Sequence, residues 1–239
     1  MIKTVNLTKK FGSNEAVCSL NLEIPKGEFF SIVGPNAAGK TTTIKMLVGL
    51  LKPTSGEIFI GGHNVFENYI AAKKLISYIP DTPYLYDKLS AKEFLRFIGD
   101  IYGIDRKKQG VRSEELIEKF GLSDAKDEMV ENYSHGMKQR LVFCAAFLHE
   151  PQVIIIDEPM VGLDPIAIRL VKDTLREESK HGVTIFMSTH TLAICEEVSD
   201  RIGIINDGRL TAVGTVNEIR KMAGTVSGGL EELFLKLTN

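Results

Sequence analysis

The residues Gly34-Pro35-Asn36-Ala37-Ala38-Gly39-Lys40-Thr41-Thr42 follow an apolar run, Phe29 to Val33, and open a segment with helical spacing. Strand, glycine-bounded loop and helix, in that order, are what a phosphate cradle needs. Gly34 and Gly39 let the loop wrap tightly, so that successive backbone N–H groups converge on phosphate oxygens at the positive end of the following helix. Lys40 brings a mobile cation to the outer phosphates. The Thr41 hydroxyl is a ligand for Mg²⁺, a hard ion that prefers oxygen donors and bridges to substrate phosphate. Together these residues predict a site for ATP with Mg²⁺.

A second set of chemically capable residues stands far downstream. Val153-Ile154-Ile155-Ile156 reads as a buried strand, and Asp157 and Glu158 sit at its C-terminal end, where ligands of parallel α/β sheets gather. Asp157 is expected to hold Mg²⁺, directly or through water. Glu158 is then the group that polarises the attacking water, a contribution typically worth about 10²- to 10⁴-fold in rate. Read alone, an Asp-Glu pair is an ordinary strand end; beside a phosphate loop it becomes the other half of a site.

The elements that must position these groups are an alternation of short strands and helices. Apolar runs at Phe29 to Val33, Ile58 to Ile60, Ile76 to Ile79, Val153 to Ile156, Thr184 to Met187 and Ile202 to Ile205 predict strands, several of them buried on both faces. Leu20, Leu22 and Ile24 alternate with polar residues, which predicts a half-exposed antiparallel strand near the N-terminus. Asn206-Asp207-Gly208 between apolar runs predicts a hairpin at the sheet margin. Ile44, Leu47, Val48 and Leu51 share a helical face, with Pro53 expected to stop that helix. From Asp81 to about Glu150 no strand run occurs. Phe94, Phe97, Ile98 and Ile101, then Leu116, Ile117 and Phe120, predict helices instead. Leu230, Leu233, Phe234 and Leu237 after Gly228-Gly229 predict a short terminal docking helix.

Composition narrows the class. At 239 residues the chain is long enough for one α/β core with an inserted subdomain. With 29 basic and 31 acidic side chains it carries a formal charge of −2, which gives no electrostatic footprint for nucleic acid. Cys18, Cys144 and Cys195 form no C-x-x-C and fit a reducing compartment as packing residues. No apolar stretch approaches the ~18 residues of a membrane span, and the N-terminus lacks the apolar core of a signal peptide. The expected location is the cytoplasm, with any membrane role supplied by a partner.

Further segments make the pattern specific. Tyr133 to Arg140 (YSHGMKQR) resembles the signature of the ATPase subunits of ABC transporters, Met160 to Pro165 (MVGLDP) their D-loop, and Ser188-Thr189-His190 their H-loop. Phe11 resembles the A-loop aromatic, and Pro80-Asp81 stands where the Q-loop begins. The resemblance runs over essentially the whole chain. It implies a RecA-like P-loop NTPase core with an N-terminal antiparallel β-subdomain and an inserted α-helical subdomain. The core is expected over residues 1–80 and 151–218, the helical subdomain over 81–150 and the docking tail over 219–239.

The same resemblance assigns roles. Ser134, Gly136 and Met137, at the start of an apolar-faced helix, would offer a second anion site to the γ-phosphate bound by an opposite subunit. Ser134 read by itself is an N-cap. His190 would contact the γ-phosphate and the water, Asp164 would organise the dimer boundary, and Phe11 would stack on adenine with Val17 nearby. The implied partners are a second ATPase subunit, identical or closely related, and an integral membrane permease. That permease would hold the chain at the inner face of the membrane.

Four positions depart from the family's usual residues. Ala37 stands where glycine is common, at a cost of about 1 kcal/mol if φ is positive there. His135 replaces a glycine and Met137 a glutamine in the signature. Asp81 replaces a glutamine with a shorter, anionic side chain, which ligates Mg²⁺ only by moving closer. The alternative for Asp81 is to stay away from the metal while its loop transmits shape change to the permease. The tail segments VGTVNEIR and LEELFLKLTN resemble those of exporter-like ABC-2 subunits. A soluble ABC ATPase acting on ribosomes or DNA is the alternative, although such proteins usually carry tandem cassettes or long coiled coils. A small-molecule kinase or GTPase explains the phosphate loop but not the signature segment.

Overall fold

Alternating burial opens the chain. β1 (Ile2–Phe11) and β2 (Asn14–Ile24) pair antiparallel, with Leu20, Leu22 and Ile24 turned inward and Asn21 and Glu23 facing solvent. β2 begins at Asn14, earlier than the alternation from Leu20 suggests, and β1 is too rich in polar residues to stand out in the sequence. β3 (Phe29–Val33) is buried throughout and runs into the phosphate loop, from which α1 (Lys40–Leu47) departs.

The end of α1 corrects one expectation. Gly49 adopts φ 72, its N–H donates to Met46 O at 3.1 Å, and Leu50 N–H donates to Lys45 O at 2.9 Å. This left-handed glycine cap satisfies the last carbonyls and closes the helix before Pro53 is reached. Leu51 therefore lies beyond the helix whose face it was expected to share.

β4 (Ser55–Ile60) and β5 (His63–Asn64) complete a four-stranded antiparallel sheet in the order β2-β1-β4-β5. α2 (Tyr69–Leu75) leads into β6 (Ile76–Ile79), and then the helical region begins: α3 (Ala91–Tyr102), α4 (Arg106–Lys119) and α5 (His135–Leu148). Ser90 and Glu93 form a reciprocal capping box that fixes the start of α3. Phe94 on that helix is buried as expected, but Phe97 and Ile101 of the same predicted face are exposed.

The chain continues through β7 (Val153–Asp157), α6 (Pro165–Lys180), β8 (Thr184–Thr189), α7 (Leu192–Val198), β9 (Arg201–Asn206), β10 (Arg209–Gly214) and α8 (Val216–Met222). The computed structural model describes residues 1–160 and 162–222. The terminal helix expected on Leu230, Leu233, Phe234 and Leu237 lies outside these residues.

The second sheet has the order β10-β9-β3-β8-β7-β6. Its strands are parallel except β10, which joins the margin through the Asn206-Asp207-Gly208 hairpin. Asp207 (φ 46) and Gly208 (φ 73) are both left-handed, as the two-residue turn requires. Both faces of this sheet are covered. Ile154 and Ile156 pack with Leu95, Phe143 and other helical-region residues, while Val153 and Ile155 pack with Ile44 and Leu47 of α1 and with Leu20 of β2. The architecture is a mixed α/β core with an antiparallel β-subdomain and a helical region. Cys18, Cys144 and Cys195 are free and buried within it.

Candidate active site

Parallel register brings the ends of three strands together. Val33 of β3 lies opposite Thr189 of β8, and Asp157 of β7 lies opposite Ser188 of β8. The phosphate loop, the Asp157-Glu158 pair and His190 therefore emerge from one edge of the sheet, although more than a hundred residues separate the first from the other two.

The loop is held from below by close backbone packing. A Cβ at Gly34 would strike Ile205 O, and one at Gly39 would strike Ala16 O. Gly208 N–H donates to Ala38 O at 3.0 Å, and Cys18 N–H donates to Gly208 O at 2.8 Å, so the marginal hairpin ties the loop to β2. Gly39 (φ 106) caps α1 with no side chain, leaving the first-turn N–H groups of Lys40, Thr41 and Thr42 without a side-chain cap. Pro35, Asn36 and Ala37 form the outer rim, Asn36 and Ala37 exposed and Ala38 buried. Ala37 does adopt positive φ, 64°, so the strain attached to its Cβ is present.

Lys40 is buried, and its Nζ donates to Gly34 O at 2.8 Å and to Pro35 O at 3.0 Å. Burial lowers its pKa, opposed by the negative charges of Glu158 and Asp157. The ammonium is thus held by the loop carbonyls and feels the charge of both carboxylates. Phosphate oxygens are better acceptors for it than neutral carbonyls.

Asp157 is 1% exposed. Its Oδ1 accepts a hydrogen bond from Ser188 Oγ, while the buried Oδ2 has no partner. A buried carboxylate oxygen without a donor is costly unless a cation or water meets it. One carboxylate, the Thr41 hydroxyl and substrate phosphate are the sparse oxygen donors that suit Mg²⁺, and among the described residues no cluster of three His, Cys, Asp or Glu offers another metal cage. The donor set fits the ion. Ser188 was quoted from the sequence as part of a motif, but its role on Asp157 was missed. The available signal was a hydroxyl in a strand running beside the carboxylate.

Glu158 has φ 48, a left-handed backbone rare for its type. Its N–H donates to Ser188 O at 3.1 Å, and its Oε2 lies 2.9 Å from His190 Nδ1. A carboxylate only accepts, so the ring donates from Nδ1 and leaves Nε2 for another contact. The contact between these two residues was not expected from the sequence, which assigned His190 to the γ-phosphate and the water.

Ser134 caps α5 and accepts from Met137 N–H at 3.2 Å, while Arg140 donates from Nε to Gly136 O and from Nη1 to Phe120 O and Gly121 O, anchoring that first turn. Ser134 itself is exposed. Asp164 caps α6, accepting from Ala167 N–H at 2.8 Å. Phe11 is 51% exposed at the end of β1, with Lys9 Nζ 5.2 Å from its ring centroid. Val17 is 0% exposed and packs in the core, so no face of it is offered to a base.

Asp81 makes a hydrogen bond within its own loop. Its Oδ1 accepts from Thr82 N–H at 2.8 Å, and it lines a groove of about 600 Å³ with Tyr78, Tyr84, Tyr102 and His149. Burial, and then the charges of Asp157 and Asp81, push the Tyr78 hydroxyl up to about 12. Tyr78, which lines the groove, thus feels the charge of both carboxylates.

A family model described as ABC transporter matches residues 17–161. The linearmycin resistance ATP-binding protein LnrL of Bacillus subtilis (strain 168) is 36% identical over 242 residues, covering 98% of this chain and 78% of its own. A solved structure described as the ATP binding subunit of an ABC transporter superposes with a TM-score of 0.95 at 34% identity, covering 100% of both chains. The ATP-binding cassette MJ0796, solved as a dimer in a post-hydrolysis state bound to ADP and Pi, gives 0.82 at 25% identity over 90% of this chain and 99% of its own.

Proposed function

Because the chain belongs to the ABC transporter family and is an ATPase of that family, we propose that two subunits close around ATP and that its hydrolysis drives a separate membrane permease. The observation that carries this reading is the buried, unpartnered Oδ2 of Asp157, at the sheet edge from which the phosphate loop also emerges.

In this reading Lys40 exchanges its two carbonyl acceptors for phosphate oxygens, and the backbone from Gly34 to Thr42 surrounds them. Thr41 and Asp157 hold Mg²⁺, which supplies neutralising charge on the phosphates. Glu158 accepts the proton of the attacking water. The water oxygen bonds to the γ-phosphorus as the bond to the β–γ bridging oxygen breaks, giving ADP and phosphate. His190 steadies Glu158 through Nδ1–H and has Nε2 free for the γ-phosphate. Phe11 stacks on adenine. Ser134, Gly136 and Met137 of the second copy cover the γ-phosphate, for which the exposure of Ser134 and the dimeric state of MJ0796 are the support.

The groove beside Asp81 receives a helical segment of the permease. Exposed Tyr84 (87%) and Tyr86, with Phe97 and Ile101 nearby on α3, supply the apolar surface that such a partner would cover. Among the described residues no helix is long and apolar enough to cross a membrane, so the chain is held there by its partner. Export is the direction we assign, on the resemblance of the tail to exporter-like subunits and on a relative named for resistance.

The test is turnover against concentration, with copurification from the native membrane. Per-molecule hydrolysis is expected to rise with concentration and a multi-span membrane protein to accompany the tagged chain. A strictly monomeric preparation that hydrolyses as fast per molecule as a concentrated one overturns the shared site, and copurification with ribosomes overturns the transport reading.

A further inference from the structure

The first turn of α5 touches the segment that joins Glu158 to Asp164, and it does so at a glycine. Gly162 adopts φ +78, and a Cβ built on it would collide with Cδ2 and Nε2 of the His135 ring. The imidazole therefore occupies the space that any other residue at position 162 would fill. Gly136 faces the same place, since a Cβ there would lie 3.5 Å from Gly162 O.

Both ends of this segment carry residues of the site. Upstream, Glu158 holds its left-handed backbone through the hydrogen bond to Ser188 O and meets His190. Downstream, Asp164 begins α6 by accepting from Ala167 N–H. Between them Met160 and Leu163 pack against the apolar cluster that includes α5, and Leu163 N–H donates to Met160 O at 3.4 Å. Met160 and Leu163 are thus seated on the apolar cluster, while Gly162 meets the ring of His135.

We propose that His135 is a positioning residue for hydrolysis: its ring, seated against Gly162, holds the Glu158–Asp164 segment so that the Glu158 carboxylate keeps its place when water attacks. The proposal rests on the ATPase reading and adds a residue that touches neither nucleotide nor metal in its own subunit. A glycine at 135 removes the ring and leaves the segment free to shift. A phenylalanine keeps a ring of similar breadth. An alanine at 162 pushes its Cβ into the ring, and it is also strained at positive φ whether or not the ring is present.

The experiment is a double-mutant cycle on the full chain, with steady-state hydrolysis and nucleotide-free unfolding measured for wild type, His135→Gly, Gly162→Ala, the pair together, and His135→Phe. His135→Gly is expected to lower kcat about fivefold with KM for ATP within about twofold, and His135→Phe to keep kcat within about twofold. The Gly162→Ala loss in kcat is expected to be at least about threefold smaller once the ring is gone, the coupling that contacting residues show. Unfolding midpoints should be non-additive in the same sense. Additive losses, or a change confined to KM, in a chain that hydrolyses ATP overturn the positioning role alone. A wild-type chain that does not hydrolyse ATP overturns the reading beneath it.

Discussion

His190 Nδ1 lies 2.9 Å from Glu158 Oε2, a pairing made across 32 residues by the register of β7 and β8. Glu158→Gln keeps the shape but loses the base. Hydrolysis should fall by about 10²- to 10⁴-fold while ATP still binds. His190→Ala should lower kcat as well, through the freed carboxylate. Single-turnover rates beside equilibrium ATP binding check both, and a Glu158→Gln chain at wild-type speed would remove Glu158 from the chemistry.

Ser188 donates to Asp157 Oδ1 and leaves Oδ2 open. Ser188→Ala frees the carboxylate to rotate. The Mg²⁺ concentration for half-maximal hydrolysis should then rise by about tenfold, near the low end of what a hydrogen bond to a charged group contributes. Binding of ATP without metal should be unchanged. A Mg²⁺ titration superposable on wild type would contradict this.

Ala37 holds φ 64 in the phosphate loop. Relief of about 1–2 kcal/mol of left-handed strain outweighs the roughly 0.5–1 kcal/mol that glycine costs through chain entropy. Ala37→Gly should raise the melting temperature by ~1–3 °C. Calorimetry decides it, and a lowered Tm means the strain is already relaxed in the wild-type loop.

Asp81 accepts from Thr82 N–H rather than from any group of the metal-fitting set. Asp81→Asn should therefore leave basal hydrolysis within a few-fold. Collapse to the level of Glu158→Gln would make Asp81 a metal ligand.

His149 stacks on Tyr102 with ring centroids 3.7 Å apart, its Nε2 is 3.3 Å from Ile76 O, and its buried Nδ1 has no partner. Burial lowers its pKa below 6.5, against the raising effect of the Ile76 carbonyl. The folded chain binds this proton less readily than the unfolded chain. Stability from this residue is present above pH 6.5 and is lost as pH falls below it. Urea unfolding at several pH values should show a steeper acid loss for wild type than for His149→Phe, which keeps the stack. Equal slopes would mean that the ring takes up its proton without cost.

The phosphate loop, the Asp157-Glu158 pair and most parallel strands were legible because each is local: a glycine-bounded loop, or a run of apolar residues ending in carboxylates. What escaped was relational. The role of Ser188 depends on facing Asp157 across two strands, and the packing of His135 on Gly162 depends on where α5 begins relative to the end of β7. β1 was hidden because one face of it is polar. α1 was read too long because its apolar spacing continues to Leu51 after Gly49 has already turned the chain. Phe97 and Ile101 fit a helical face, but periodicity does not say which part of that face another element covers.

α5 joins the signature turn to the wall of the groove. Ser134 caps one end and His149 the other, and the 14 residues between them make a rod about 21 Å long with no proline and with glycine only in its opening turn. In the proposed reading, a pull on Ser134 toward a triphosphate is passed along this unbroken helix to the Tyr102–His149 wall, so that nucleotide binding alters the width of the groove lined by Asp81.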